Sequence, residues 1–192
     1  MSVDKERIAR AVREILDAVG EDADREGLRE TPRRVAEMYA ELFSGIGKDP
    51  ASALRVQFTA PMDELVVVRD VRFASLCEHH LLPFFGVAHV GYLPDGCILG
   101  MSKVARIVDL LARRPQVQER LTNELADSLA TSLHPRGLGV VLEAEHLCLS
   151  IRGARRPGAK LVTSATRGAI REDAALRAEF WRLIGGPNGH AF

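Results

Sequence analysis

The sequence predicts an α+β fold, an antiparallel sheet with helices packed on one face, preceded by a helical N-terminal segment. Three observations carry that expectation. Runs rich in β-branched residues with partial alternation, at 65–73, 84–93 and 138–151, read as strands. Stretches whose apolar residues return every three or four positions fall between and outside those runs and read as amphipathic helices. Strands joined by short turns, with helices segregated around them, argue an antiparallel sheet rather than a βαβ succession. The 192-residue length and 46% hydrophobic content suit one functional domain with a sizeable core.

In chain order, Ile8, Val12, Ile15, Leu16 and Val19 define a first helix that Gly20 ends. Thr31-Pro32 reads as an N-cap followed by proline at the first helical position. Val35, Met38, Leu42 and Phe43 then line one face of a second helix, and Gly45 stops it. Residues 48–61 are irregular, so the chain divides into a helical segment, 1–60, and a larger sheet-bearing region, 61–192. The strand at 65–73 leads to Cys77. After Pro83 the strand at 84–93 reaches Pro94-Asp95-Gly96, which predicts a hairpin back to Cys97-Ile98-Leu99. Ser102 reads as the N-cap of a helix carrying Val104, Ile107, Val108 and Leu111. Pro115 separates it from another with Val117, Leu121, Leu125 and Leu129. A strand over 138–151, a basic turn at 153–160, a short strand at Leu161-Val162-Thr163 and a helix over 172–184 complete the reading.

Charge excludes several functions. Lys+Arg and Asp+Glu both number 26, so no global field favours nucleic acid or an anionic membrane, and any anion site must be local. Three cysteines, two of them beside histidines, argue against a disulfide framework and for a reducing compartment. The charged start Met1-Ser2-Val3-Asp4-Lys5-Glu6-Arg7 lacks the apolar core of a signal peptide, and no apolar run approaches the roughly 20 residues of a membrane span. The expectation is a cytoplasmic protein.

The chemistry concentrates in Cys77-Glu78-His79-His80 and His146-Leu147-Cys148. Taken singly, each histidine reads as a hydrogen-bonded structural residue. Together, two thiols and three imidazoles in two short stretches read as a zinc site with acid/base groups beside it. Cys77 and His80, spaced i, i+3, can reach one ion from a turn, and Cys148 can complete a Cys2His set. Three protein ligands leave a position for a water whose pKa the ion lowers, which points to hydrolytic chemistry. His79 and His80 are neighbours whose rings must diverge, so if His80 ligates, His79 remains for proton transfer. His146 and Cys148, two apart on an expected strand, would leave the same face. Cys97 reads as a small buried hydrophobe; its competing reading is a fourth ligand closing a structural site.

Ser102, Lys103 and Arg106 open a helix, where free N–H groups and the dipole favour an anion such as phosphate; a solvated face is the other reading. Arg152, Arg155, Arg156, Lys160 and Arg167, with Arg33-Arg34, read mostly as solvated charge. Glu119 opens the next helix. It is either an ordinary dipole partner or a carboxylate accepting two parallel N–H bonds, which guanine offers and adenine does not.

The chain resembles the GTP cyclohydrolase I family. The resemblance rests on Cys77-Glu78-His79-His80-Leu81-Leu82-Pro83-Phe84, Gly100-Met101-Ser102-Lys103, the run from Arg114 to Thr122, Glu145-His146-Leu147-Cys148 and Thr163-Ser164-Ala165-Thr166-Arg167-Gly168, and it covers about residues 28–170. It implies conversion of GTP and water to 7,8-dihydroneopterin triphosphate and formate, as the first step of tetrahydrofolate and pterin biosynthesis. Cys77, His80 and Cys148 would bind Zn2+, and His79 and His146 would be the acid/base pair. Glu119, helped by Gln118, would hold the guanine edge. Ser102, Lys103, Arg106 and Arg152 would bind ribose or triphosphate, with Arg34 from a neighbouring subunit. The resemblance further implies a tunnelling fold assembled into a toroidal homodecamer of two pentamers, with sites at subunit interfaces. The stretch before Glu30 is short, so the expectation is that an extended regulatory arm of the animal kind is absent. Two rivals stand beside this reading: a non-catalytic, zinc-stabilised nucleotide-binding protein, and an enzyme that opens the guanine ring but stops at a formamide.

Overall fold

The computed structural model describes residues 3–54, 57–59 and 61–185, in two units that meet in sequence between Gly47 and Lys48. The first unit is a helix pair. Helix α1 (Lys5–Ala18) is opened by Asp4, whose carboxylate accepts the Arg7 N–H at 2.9 Å and satisfies one of the orphan donors of the first turn. It packs against α2 (Thr31–Leu42), at whose C-terminal end the rings of Tyr39 and of the C-cap residue Phe43 lie 5.1 Å apart. The expected Thr31 cap is not made. Glu30 occupies the N-cap position with helical φ and ψ, and the Thr31 N–H already bonds Leu28 O at 2.9 Å, so the preceding turn runs straight into the helix.

The second unit begins with a 3-10 turn, Pro50–Leu54, and β1 (Gln57–Thr59), where the sequence reads as irregular; Arg55, Val56 and Ala60 of that stretch lie outside the described residues. There follow β2 (Val66–Cys77), β3 (Pro83–Leu93), β4 (Cys97–Leu99), α3 (Met101–Ala112), β5 (Pro115–Gln116) and α4 (Gln118–Leu133). The described residues end with β6 (Gly137–His146), α5 (Leu147–Ser150), β7 (Lys160–Gly168), α6 (Ala169–Glu172) and α7 (Ala174–Gly185). A curled sheet of order β5-β2-β3-β6-β7 forms the centre, antiparallel except for the two-residue β5 alongside β2.

Alternation along the strands decides what covers the sheet. Phe84, Ala88, Val90 and Tyr92 of β3, with Leu138, Val140, Leu142 and Ala144 of β6, point to one face. There they meet Val104, Ile107, Val108 and Leu111 of α3 and Leu121, Leu125, Leu129 and Leu133 of α4, all buried. Those are the helical stripes legible in the sequence.

Four expectations need correction. Cys97–Leu99 does not fold back on β3: it pairs with β1, as Thr59↔Cys97, because both edges of β3 are already taken by β2 and β6. Gly100, not Ser102, is the N-cap of α3, and the helix starts at Met101. The strand over 138–151 stops at His146, where the chain turns into α5. The helices are not confined to one face, since α7 lies on the opposite one. Gly91 and Gly139 are register partners, and a Cβ on either would stand 2.5 or 2.7 Å from the Phe180 ring, so the paired glycines leave a notch that Phe180 fills.

That second face also holds a buried histidine, His89, beside the β-bulge of β2. Asp70, at φ 59°, turns its N–H onto His89 Nδ1 at 3.2 Å. Burial pulls the imidazole below its ordinary 6.5, against the opposing charges of Asp70 and Glu143 and with that of Arg69. The unfolded chain therefore takes up this proton first. The stabilisation is complete above about pH 6.5 and drains away as pH falls toward the lower folded value. His89→Asn keeps an acceptor for Asp70 and removes the titration. Its melting temperature should fall less than the parent's between about pH 7.5 and 5, as followed by calorimetry.

Candidate metal centre and active site

The first half of the site is the turn between β2 and β3. The Cys77 N–H bonds Leu82 O at 2.9 Å, and Leu81, at φ 53°, returns its N–H to Cys77 O at 2.8 Å. The turn is also tied sideways. Glu78 N–H bonds Gln116 O at 3.0 Å, extending the short parallel pairing of β2 with β5. The Glu78 carboxylate takes the Arg120 guanidinium from the first turn of α4, which lowers its pKa from the usual carboxylate value. Arg120 Nε in turn donates to Gln116 Oε1 at 2.9 Å, and the fully buried Gln116 donates to Leu111 O and Glu124. This bracing was not legible in the sequence, although Glu78, Gln116 and Arg120 all stand inside the motifs quoted above.

The second half comes from β6 and α5. Because the chain turns after His146, Cys148 sits on a helical turn, not on the strand face where the sequence puts it beside His146. The turn separates their tasks. One ligand atom each from Cys77, His80 and Cys148 lies within 4.8 Å of the others. Among the described residues Cys97 is not in this group; it lies on β4, packed at the margin of the core. Burial, and then the neighbouring Cys77, push the Cys148 thiol above its ordinary range. Two thiols so placed fit a cation that would take up the charge of both as thiolates, and sulfur with imidazole is a zinc-type donor set. The residues present therefore fit zinc.

Two further imidazoles stand next to these donors in sequence. His79 is exposed, with Nδ1 3.7 Å from Cys77 Sγ and Nε2 4.0 Å from Glu78 Oε1; its ring and that of His80 diverge at 73°. His146 is half-buried and stacks flat on Phe84, its register partner, with centroids 4.6 Å apart and planes at 3°. Burial lowers its pKa, partly offset by the charge of Glu119. Glu119 is exposed in the first turn of α4, while Gln118 beside it is fully buried and spends its amide inside the protein. The Gln118 amide nitrogen also reaches Thr163 Oγ1, at 3.1 Å.

The anion-binding candidates are dispersed. Arg152 is exposed just past α5, close enough for its charge to act on Cys148. Ser102, Lys103 and Arg106 occupy the start of α3, whose other end meets the metal strand through Ser75 Oγ, 2.7 Å from Ala112 O. At ~1.5 Å rise per residue, α3 keeps its start on the order of 15 Å from that contact. Arg34 belongs to α2 in the other unit and is exposed, whereas its neighbour Arg33 is engaged by Glu30 and Glu37.

With this geometry in view, the model of the family described as GTP cyclohydrolase I matches residues 8–185. The chain belongs to the GTP cyclohydrolase I family. Relatives named GTP cyclohydrolase 1 agree over nearly the whole length. That of Caldanaerobacter subterraneus is 57% identical over 183 residues, 95% of this chain and 97% of its own. That of Thermobifida fusca is 58% identical over 184 residues, 95% of this chain and 89% of its own. The Bacillus subtilis relative is 55% identical over 178 residues, 92% of this chain and 94% of its own. GTP cyclohydrolase I membership extends across both units, from α1 to α7. No helix among the described residues is long and apolar enough to cross a membrane.

Proposed function

We propose that this chain is a zinc-dependent hydrolase converting GTP and water to 7,8-dihydroneopterin triphosphate and formate, the first step toward pterins and tetrahydrofolate. The observation that carries the reading is the gathering of Cys77, His80 and Cys148 within 4.8 Å, with His79 against Cys77 and His146 two residues before Cys148. The three would hold Zn2+. When bound, the ion supplies Lewis acidity and lowers the pKa of a water toward neutrality.

The rest of the chemistry falls to the side chains. His146 and His79 move protons to and from purine N7, and later to and from the ribose-derived carbons. Glu119 accepts the N1–H and 2-amino donors of guanine. Water opens the imidazole ring at C8 to a formamide, and a second hydrolysis releases C8 as formate. Condensation of the rearranged sugar carbonyl with the freed amine returns one water, so one water is consumed per GTP.

Ser102, Lys103, Arg106, Arg152 and Arg34 bind the ribose and triphosphate. The separation along α3 supports a shared site, in which one copy contributes the metal and Glu119 while another contributes the start of its α3, with Arg34 also from a neighbour. That arrangement suits a tunnelling fold in a toroidal homodecamer of two pentamers, with 1–60 as the helical segment and 61–192 as the catalytic domain. The balanced charge fits a cytoplasmic enzyme with neither nucleic acid nor membrane as partner.

The test is incubation of zinc-loaded protein with GTP. The expected result is one formate per GTP and a pterin triphosphate that fluoresces after oxidation. Accumulation of a formamide nucleotide would restrict the enzyme to ring opening, and binding without turnover would leave a nucleotide-binding protein.

A further inference from the structure

We propose that Gln118 is a positioning residue that fixes the tautomer and plane of His146, leaving Nδ1 as the ring nitrogen offered to substrate. The inference rests on the reading of His146 as a proton-transfer residue and adds what holds it. Gln118 is fully buried, and its Nε2 lies 3.1 Å from Leu142 O, 2.9 Å from Leu161 O and 3.1 Å from Thr163 Oγ1. Backbone carbonyls only accept, so the end of the amide that faces them must be the NH2. Flipping it would set Oε1 against two carbonyl oxygens.

The hydroxyls agree with that orientation. Thr122 Oγ1 donates to Gln118 O at 2.7 Å, so the 2.7 Å contact between Thr163 and Thr122 is filled by the Thr163 hydroxyl hydrogen. A Thr163 lone pair is then free to receive Gln118 Nε2–H. Every donor in the circuit has an acceptor, and only one amide orientation permits it.

The consequence falls on His146. Its Nε2 sits 2.9 Å from Gln118 Oε1, an atom that can only accept, so Nε2 must carry the hydrogen. Phe84, fully buried, supplies the second restraint through the parallel stack at 4.6 Å. The stack sets the ring plane and the hydrogen bond sets its rotation within that plane. In the neutral ring the lone pair is therefore on Nδ1.

The test uses zinc-loaded, full-length protein with 15N in its histidine rings. Spectra are taken at about pH 8.5, where ordinary imidazole is neutral. The His146 signals are assigned by their loss in His146→Ala. The expected wild-type result is hydrogen on Nε2 and a bare Nδ1. In Gln118→Leu the ring should become a mixture of tautomers, with kcat about 10–100-fold lower, KM for GTP little changed and zinc content intact. Thr163→Val, which removes one acceptor while keeping Gln118, should shift the ring the same way by less, and it decides the matter with the wild-type spectrum should Gln118→Leu not fold. Hydrogen on Nδ1 in the wild type would overturn the proposal, as would a raised KM in Gln118→Leu with an unchanged ring spectrum, the signature of a direct substrate contact. Absence of product from wild-type protein would instead defeat the enzymatic reading, since the ring spectrum is read without substrate.

Discussion

Cys148→Ser should lose its metal and its activity together. Serine keeps the volume, but its hydroxyl does not ionise near neutrality, so a charged soft donor becomes a neutral hard one. Loss of an outer partner of a metal ligand already costs about 10–100-fold in affinity, and loss of the ligand itself should exceed that. Zinc content per chain, measured after gel filtration, should fall well below one equivalent. Lewis-acid assistance worth several kcal/mol corresponds to at least about a 10^3-fold drop in formate release. Stability should fall as well, because metal bound only by the folded chain adds its binding free energy to folding. Cys97→Ser is the comparison. Cys97 lies outside the three-donor group, so that variant should keep its zinc. Zinc retained at full stoichiometry in Cys148→Ser would remove this cysteine from the ligand set.

The metal turn was legible because its signal is local. Cys77 and His80 need only one tight turn to converge, and that turn is set by the residues between them and by Leu81 in the left-handed region. The helical faces of α3 and α4 were legible for the same reason, since Val104, Ile107, Val108 and Leu111 carry their own period. What escaped depends on pairing across the chain. Nothing near Cys97 says that β3 will have both edges occupied, so the hairpin suggested by Pro94-Asp95-Gly96 could not be ruled out locally. The break after His146 is hidden because Leu147-Cys148-Leu149 is as apolar as the strand before it. The seat of α7 on the second face needs Gly91 and Gly139 side by side, and register alone puts them there. The inward turn of Gln118 is likewise non-local, its acceptors being residues 142, 161 and 163.

His146→Ala should separate chemistry from metal binding. The ring is not among the three donors, and Cys148 reaches the metal group from α5 after the strand has ended, so zinc should remain at one equivalent. Proton transfer by a positioned side chain is typically worth about 10^2–10^4, and the loss in turnover should lie in that range. Stability should suffer far less. The truncation leaves Gln118 Oε1 without its hydrogen-bond partner and uncovers one face of Phe84, and an unsatisfied buried polar atom costs about 1–3 kcal/mol. A melting shift of a few degrees, set against a hundredfold or greater loss of formate release, assigns His146 to the reaction. The position of the block narrows the assignment. If His146 assists only the sugar rearrangement, the variant should still release formate and accumulate the opened pyrimidine; if it acts at N7, neither should form. Formate release at the parent rate would withdraw His146 from ring opening.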